Sequence, residues 1–152
     1  MIRYASIDDF DRIIDMMKNF ANASPLNIYH DPVYNERTVK NSLMRIIRNG
    51  CIIVADDADG VAQGMIIAAI EQDLWLPHIK VLREIAWWVE PAYRKTTMGY
   101  KLIRRYMEVI ETLKEKDIIN YGTLATLTNS PIKGMDRWGW QNIQQHYVMG
   151  EA

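Results

Sequence analysis

The sequence predicts a mixed α/β fold, and three observations predict it. Stretches with apolar residues three and four apart, the period of amphipathic helices, alternate with short β-branched runs. The runs at 51–55 and 61–71 flank Asp56-Asp57-Ala58-Asp59-Gly60, a turn that joins two strands as a hairpin. No internal repeat and no Pro/Gly/Ser-rich linker divides the 152 residues, so one domain is expected over 1–152.

The elements follow in order. Residues 2–5 are a short strand. Ser6 reads as a helix N-cap, with Asp8 and Asp9 in the first turn, where the helix dipole favours negative charge. Phe10, Ile13, Ile14, Met17 and Phe20 then mark a helix over 7–21. Residues 22–34, with Pro25 and Pro32, are a loop or short helical turns. Val39, Leu43, Ile46 and Ile47 share one face of a second helix over 36–49, which Gly50 ends. The hairpin comes next, a connection through Trp75, Pro77 and His78, and a third strand over 80–90 that Pro91 stops. A long helix opens at Thr96 or Thr97 and runs to about Lys116, with Leu102, Ile103, Tyr106, Val109, Ile110 and Leu113 as its buried stripe. A strand over 118–128, a helix starting at Asn129-Ser130-Pro131 and a last strand over 142–149 complete the order β-α-α-β-β-β-α-β-α-β.

Hydrophobic residues make up 49% and charged residues 24%, which excludes a disordered or collagen-like chain. A net charge of −1 argues against broad contact with nucleic acid. The single cysteine, Cys51, cannot form an internal disulfide and reads as a small buried hydrophobe. The start runs straight into Asp8, Asp9 and Asp11, so no apolar signal segment is expected. The longest apolar stretch, 65–70, is far short of the roughly 20 residues that span a bilayer. A cytoplasmic protein without membrane partners is expected. His30, His78 and His146 are widely spaced and fit no metal-ligand pattern, so no metal is expected.

Chemistry concentrates in Val89-Glu90-Pro91-Ala92-Tyr93-Arg94-Lys95-Thr96-Thr97-Met98-Gly99-Tyr100. A strand ends, a basic loop turns and a long helix begins, so backbone N–H groups and the positive helix end converge on one point, an anion site. Arg94 and Lys95 add charge, and Gly99 lets a ligand approach the backbone.

Val-x-Pro-x-x-Arg-x-x-x-x-Gly before an aliphatic helix resembles motif A of the GNAT superfamily of N-acetyltransferases, and the order of elements along the chain is similar to that fold. The resemblance implies a largely antiparallel central sheet with a splayed strand pair, flanked by helices. The family pattern, Arg/Gln-x-x-Gly-x-Gly/Ala, is met by Arg94 and Gly99, while Thr97 replaces its first glycine. The resemblance implies acetyl-CoA as acyl donor, its pyrophosphate held by Arg94, Lys95, Thr96, Thr97, Met98, Gly99 and Tyr100. Its pantetheine would lie along a bulged stretch at 85–89, with main-chain bonds there and with Trp87, Trp88 and Val89 beside it. Trp87 and Trp88 also suit plain sheet packing. The family's C-terminal pattern is met by Asn129 and by Gly139-Trp140 in the place of Gly-Phe, but Met135 stands where the family carries a tyrosine.

A primary amine must be neutral to attack a thioester, and an amine of reference pKa near about 10.4 needs a base. Glu84, ten residues before Arg94, lies where family members carry a catalytic Glu, though an ion pair with Arg83 or another neighbour is the commoner use for such a residue. The amide of Trp88 or Val89 would donate to the developing oxyanion. Tyr147 and Tyr121 are the candidate acids for the departing thiolate. The implied reaction is direct acetyl transfer to a primary amine in a ternary complex. The acceptor would sit between 22–34 and 74–78.

Two alternatives stay open. Thr97 and Met135 suit a non-catalytic binding protein on the same fold. Arg94, Lys95, Lys101, Arg104 and Arg105, interleaved with Tyr93, Tyr100 and Tyr106, suit a nucleic-acid patch, although the helical ones equally form a solvated face. Exposed apolar surface could support a homodimer.

Overall fold

A computed structural model describes residues 1–127, 130 and 132–150. A five-stranded sheet is formed by β1 (Ile2–Tyr4), β2 (Gly50–Asp56), β3 (Ala62–Gln72), β4 (Lys80–Val89) and β5 (Tyr121–Thr123), in that spatial order. The first four strands pair antiparallel, and β5 joins β4 in parallel. Three helices flank the sheet: α1 (Phe10–Asn22), α2 (Glu36–Arg48) and α3 (Met98–Glu115).

Alternation along the strands divides the core into two. Ile52, Val54, Met65 and Ile67 face Phe10, Ile13, Ile14, Met16 and Leu43 of α1 and α2. Cys51, Ile53, Ile66 and Ala68 face Leu102, Tyr106, Val109 and Ile110 of α3. Cys51 is buried, and burial pushes its thiol up to about 12, as suits an inert core residue. Ser6 begins a 3₁₀ turn, Ile7–Asp9, ahead of α1, and its amide donates to the Asp9 carboxylate at 2.8 Å. Gly50 opens β2 rather than ending α2 in a left-handed turn, and a Cβ there would collide with the backbone carbonyl of Ala68.

The C-terminal third departs from expectation. The strand expected over 118–128 forms only at Tyr121–Thr123. The expected helix start at 129–131 lies mostly outside the described residues, and beyond it stands only a 3₁₀ turn, Met135–Trp138, set between Gly134 at φ 74° and Gly139 at φ 87°. Residues 142–149 form no strand. A strand persists through pairing, and a three-residue β5 gives an eight-residue partner little to pair with, so Ile143, Tyr147, Val148 and Met149 stay exposed.

Candidate active site

Two features of β4 open the site. Register with β3 shifts between Ile67 and Ala68, so that Ile67 opposes Ala86 and Ala68 opposes Glu84; Ile85 is the extra residue of a bulge. Pairing with β5 stops at Arg83 and Thr123. The bulge reverses the alternation: Leu82 faces α3, whereas Ala86 and Trp88 face α1 and α2, and Trp87 and Val89 return to the α3 side. The Tyr106 hydroxyl lies at the fork, 2.9 Å from the Thr123 carbonyl and 3.2 Å from the Leu82 carbonyl.

Beyond the fork the strands part around a cavity of about 440 Å³, within the size range of ligand pockets. Glu84, Ile85, Trp87, Trp88 and Val89 form one wall, and Ala125, Thr126 and Leu127 the opposite one. Arg94, Thr96, Gly99 and Tyr100 close one side, with Ile132 and Trp138 nearby, and Phe20 of α1 and Ala23 just beyond its end close another. The amide of Glu90 donates to the Gln63 carbonyl, and antiparallel ladders alternate. The backbone of Trp88 therefore faces Met65, while the amides of Trp87 and Val89 point away from β3 toward the gap. This moves the expected oxyanion donor off Trp88.

Glu84 stands in the wall of the gap. Its carboxylate accepts from the Ala125 amide at 3.1 Å. Burial pushes its pKa up to about 7, and the Ala125 bond works in the opposite direction. Arg83 pairs with Glu71 at 2.5 Å, so Glu84 is not its partner.

The loop is held by its own side chains. Arg94 Nε donates to the Val89 carbonyl at 2.9 Å, and its guanidinium lies 4.4 Å from the Trp88 ring centre. Thr96 Oγ1 donates to the Tyr93 carbonyl at 2.6 Å and accepts from the Met98 amide at 3.2 Å. Thr97 caps α3 at φ −80°, so no left-handed conformation is asked of it. The first bond of α3 runs from the Lys101 amide to the Thr97 carbonyl at 3.0 Å. The Gly99 and Tyr100 amides precede it and have no acceptor among the described residues, which leaves an electropositive helix end beside the cavity.

The remaining candidates separate. Lys95, Thr97 and Met98 border the loop but are not among the cavity's lining residues. Asn129 lies outside the described residues. Tyr147 is 90% exposed, bonds Gln145, and does not line the cavity; Tyr121 does not line it either. Phe20, Ile132 and Trp138 line it without having been singled out. Phe20 continues the apolar stripe of α1 and could be read from sequence only as core. Trp138 stacks edge-on against Tyr100, with ring centres 5.3 Å apart. The basic patch is partly neutralised, since Arg104 and Arg105 approach Glu108 at 3.8 and 3.1 Å. No group of three or more potential metal ligands occurs among the described residues. No helix among them is long and apolar enough to cross a membrane.

The five-stranded, largely antiparallel sheet and its three flanking helices give the fold seen in GNAT acetyltransferases. Particular solved structures share it. Glucosamine-6-phosphate N-acetyltransferase from Arabidopsis thaliana is 14% identical, with a TM-score of 0.71 and coverage of 99% of this chain and 97% of that one. A GNAT family acetyltransferase from Staphylococcus aureus is 15% identical, with a TM-score of 0.64 and the same coverage. A predicted acetyltransferase with acetyl-CoA from Clostridium acetobutylicum is 11% identical, with a TM-score of 0.69 and coverage of 99% and 95%. No family model and no curated protein matches the sequence.

Proposed function

We propose that the protein is an acetyl-CoA-dependent N-acetyltransferase that acetylates a primary amine directly in a ternary complex. The observation that carries this reading is one cavity that joins the Glu84 carboxylate to the parted edge of β4 and to the start of α3. The residues present fit acetyl-CoA. The Gly99 and Tyr100 amides and the outer nitrogens of Arg94 would take its phosphates, and the gap-facing amides of Trp87 and Val89 its pantetheine.

Bound there, the cofactor would supply an acetyl group activated as a thioester. Glu84, half-buried beside the Ala125 amide, would take the amine proton directly or through one water as the C–N bond forms and the C–S bond breaks. The Val89 or Trp87 amide would steady the charge on the carbonyl oxygen. The same reading puts the protein in the cytoplasm, where Cys51 stays a thiol. A homodimer would cover the exposed Ile143, Val148 and Met149.

Calorimetric titration with acetyl-CoA, beside Arg94→Ala and Gly99→Trp, tests the reading. Micromolar binding that Gly99→Trp abolishes and Arg94→Ala weakens by at least about tenfold supports it; a folded protein that binds nothing ends it. A second reading, a binding protein without catalysis, is favoured by Met135 in the tyrosine position and by Tyr147 lying in solvent. It predicts acetyl-CoA binding with no thiol release on any amine.

A further inference from the structure

We infer that the acceptor is a primary amine carried on a flat apolar body, without phosphate or carboxylate beside the amine. This rests on the acetyltransferase reading and names the substrate class of the same cavity. The side bordered by α3 is where the anionic donor fits. The side bordered by α1 is left for the acceptor, and it is aromatic. Phe20 meets Trp88 edge to face, with ring centres 6.1 Å apart and planes at 72°. Rings so arranged favour flat apolar groups, and their faces attract cations.

Charge points the same way. Glu84 and Arg94 carry the only charged side chains among the described lining residues; no lysine or histidine joins them. Arg94, the one cation, is already bonded to the Val89 carbonyl and stacked on Trp88, and the donor's phosphates would claim its outer nitrogens. An anionic acceptor would thus meet the Glu84 carboxylate with no cation of its own. An ammonium group would meet Glu84 as an ion-pair partner, while its apolar body rests on Phe20, the ring that Arg94 leaves uncovered.

The test is calorimetry with 2-phenylethylamine, 2-phenylethanol and glucosamine 6-phosphate, with and without saturating coenzyme A, followed by thiol release from acetyl-CoA. The expected result is 2-phenylethylamine binding about tenfold more tightly than either competitor, a difference of about 1.4 kcal/mol. Phe20→Ala, or Phe20→Leu should the alanine variant fold poorly, is expected to weaken amine binding about tenfold and leave acetyl-CoA affinity within about twofold. Equal or tighter binding of the sugar phosphate, or equal loss of amine and acetyl-CoA binding in both Phe20 variants, overturns the inference. Acetyl-CoA bound without preference for the aromatic amine sinks the inference and spares the enzymatic reading. The aromatic amine bound by a protein that binds no acetyl-CoA ends the enzymatic reading and the inference with it, leaving an amine-binding cavity.

Discussion

The Glu84 carboxylate accepts a hydrogen bond from the Ala125 amide at 3.1 Å, across the gap between β4 and the chain that leaves β5. The bond ties the two walls of the cavity together at the point where the proposed chemistry needs a base. It also leaves the second carboxylate oxygen for a substrate proton.

Burial raises Glu84 from 4.5 to about 7, which gives opposite pH dependences to stability and activity. In the folded protein Glu84 keeps its proton at pH values where the unfolded chain has lost it. Stability is therefore expected to fall as pH rises from about 4.5 to about 7. Acetyl transfer needs the ionised carboxylate, so kcat/KM is expected to rise through about pH 7. Glu84→Gln should lower kcat by about 100-fold and flatten both profiles. Thermal melts and initial rates between about pH 5 and pH 8 check this; an unchanged activity profile in the variant removes Glu84 from the reaction.

Much of the sheet and the helical core was legible because periodicity reports burial, and the loop at Arg94 and Gly99 stood out as a strand–turn–helix junction. The bulge was not legible from alternation. Simple alternation places Glu84, Ala86 and Trp88 on one face, and only the single unpaired residue Ile85 separates them. No local property of Ile85 announces this; the expectation of a bulge came from resemblance alone. The tail failed for a related reason. Residues 142–149 carry strand-like side chains, but a strand also needs a partner, and partners are a property of the whole chain. Phe20 shows the limit from the other side: its helical spacing predicts an inward position, not that the interior there is a cavity.

Arg94 is expected to contribute through position as well as charge. Its Nε bond to Val89 and its place over Trp88 fix the guanidinium in the wall of the cavity. Arg94→Ala should weaken acetyl-CoA binding by at least about tenfold, the scale of one charge-assisted hydrogen bond. Arg94→Lys should recover little of this, because an ammonium cannot donate to Val89 and present a second fork at once. Calorimetry on both variants decides; full recovery by lysine would mean that only charge matters.

Gly99 separates size from backbone freedom. A Cβ there would lie 3.7 Å from Ile132 Cδ1 and 3.8 Å from Val89 Cγ2, ordinary contact distances. Gly99→Ala should therefore fold, gaining up to about 1 kcal/mol from helix propensity. Gly99→Trp should fold too but fill the cavity and abolish acetyl-CoA binding. Melting temperatures and titrations of the pair make the comparison. Loss of binding in the alanine variant would show that the ligand approaches the backbone more closely than one methyl allows.

Tyr106 determines how the fork is held. Its ring is fully buried under α3 and stacks with Trp140 at 6.2 Å, and its hydroxyl reaches the Thr123 and Leu82 carbonyls. One proton serves one carbonyl at a time, and the shorter distance favours Thr123. Tyr106→Phe keeps the packing and leaves these buried acceptors without their donor, a cost of about 1–3 kcal/mol. Since β5 is only three residues long and holds β4 by few bonds, that loss should fall on the fork itself. The variant is expected to melt earlier and to show faster amide hydrogen exchange at Tyr121–Thr123 than at β2 or β3. Acetyl-CoA affinity should drop with it, because Glu84 and Ala125 would no longer be held across the gap. Exchange that accelerates evenly over the whole sheet would show instead that Tyr106 stabilises the domain without governing the fork.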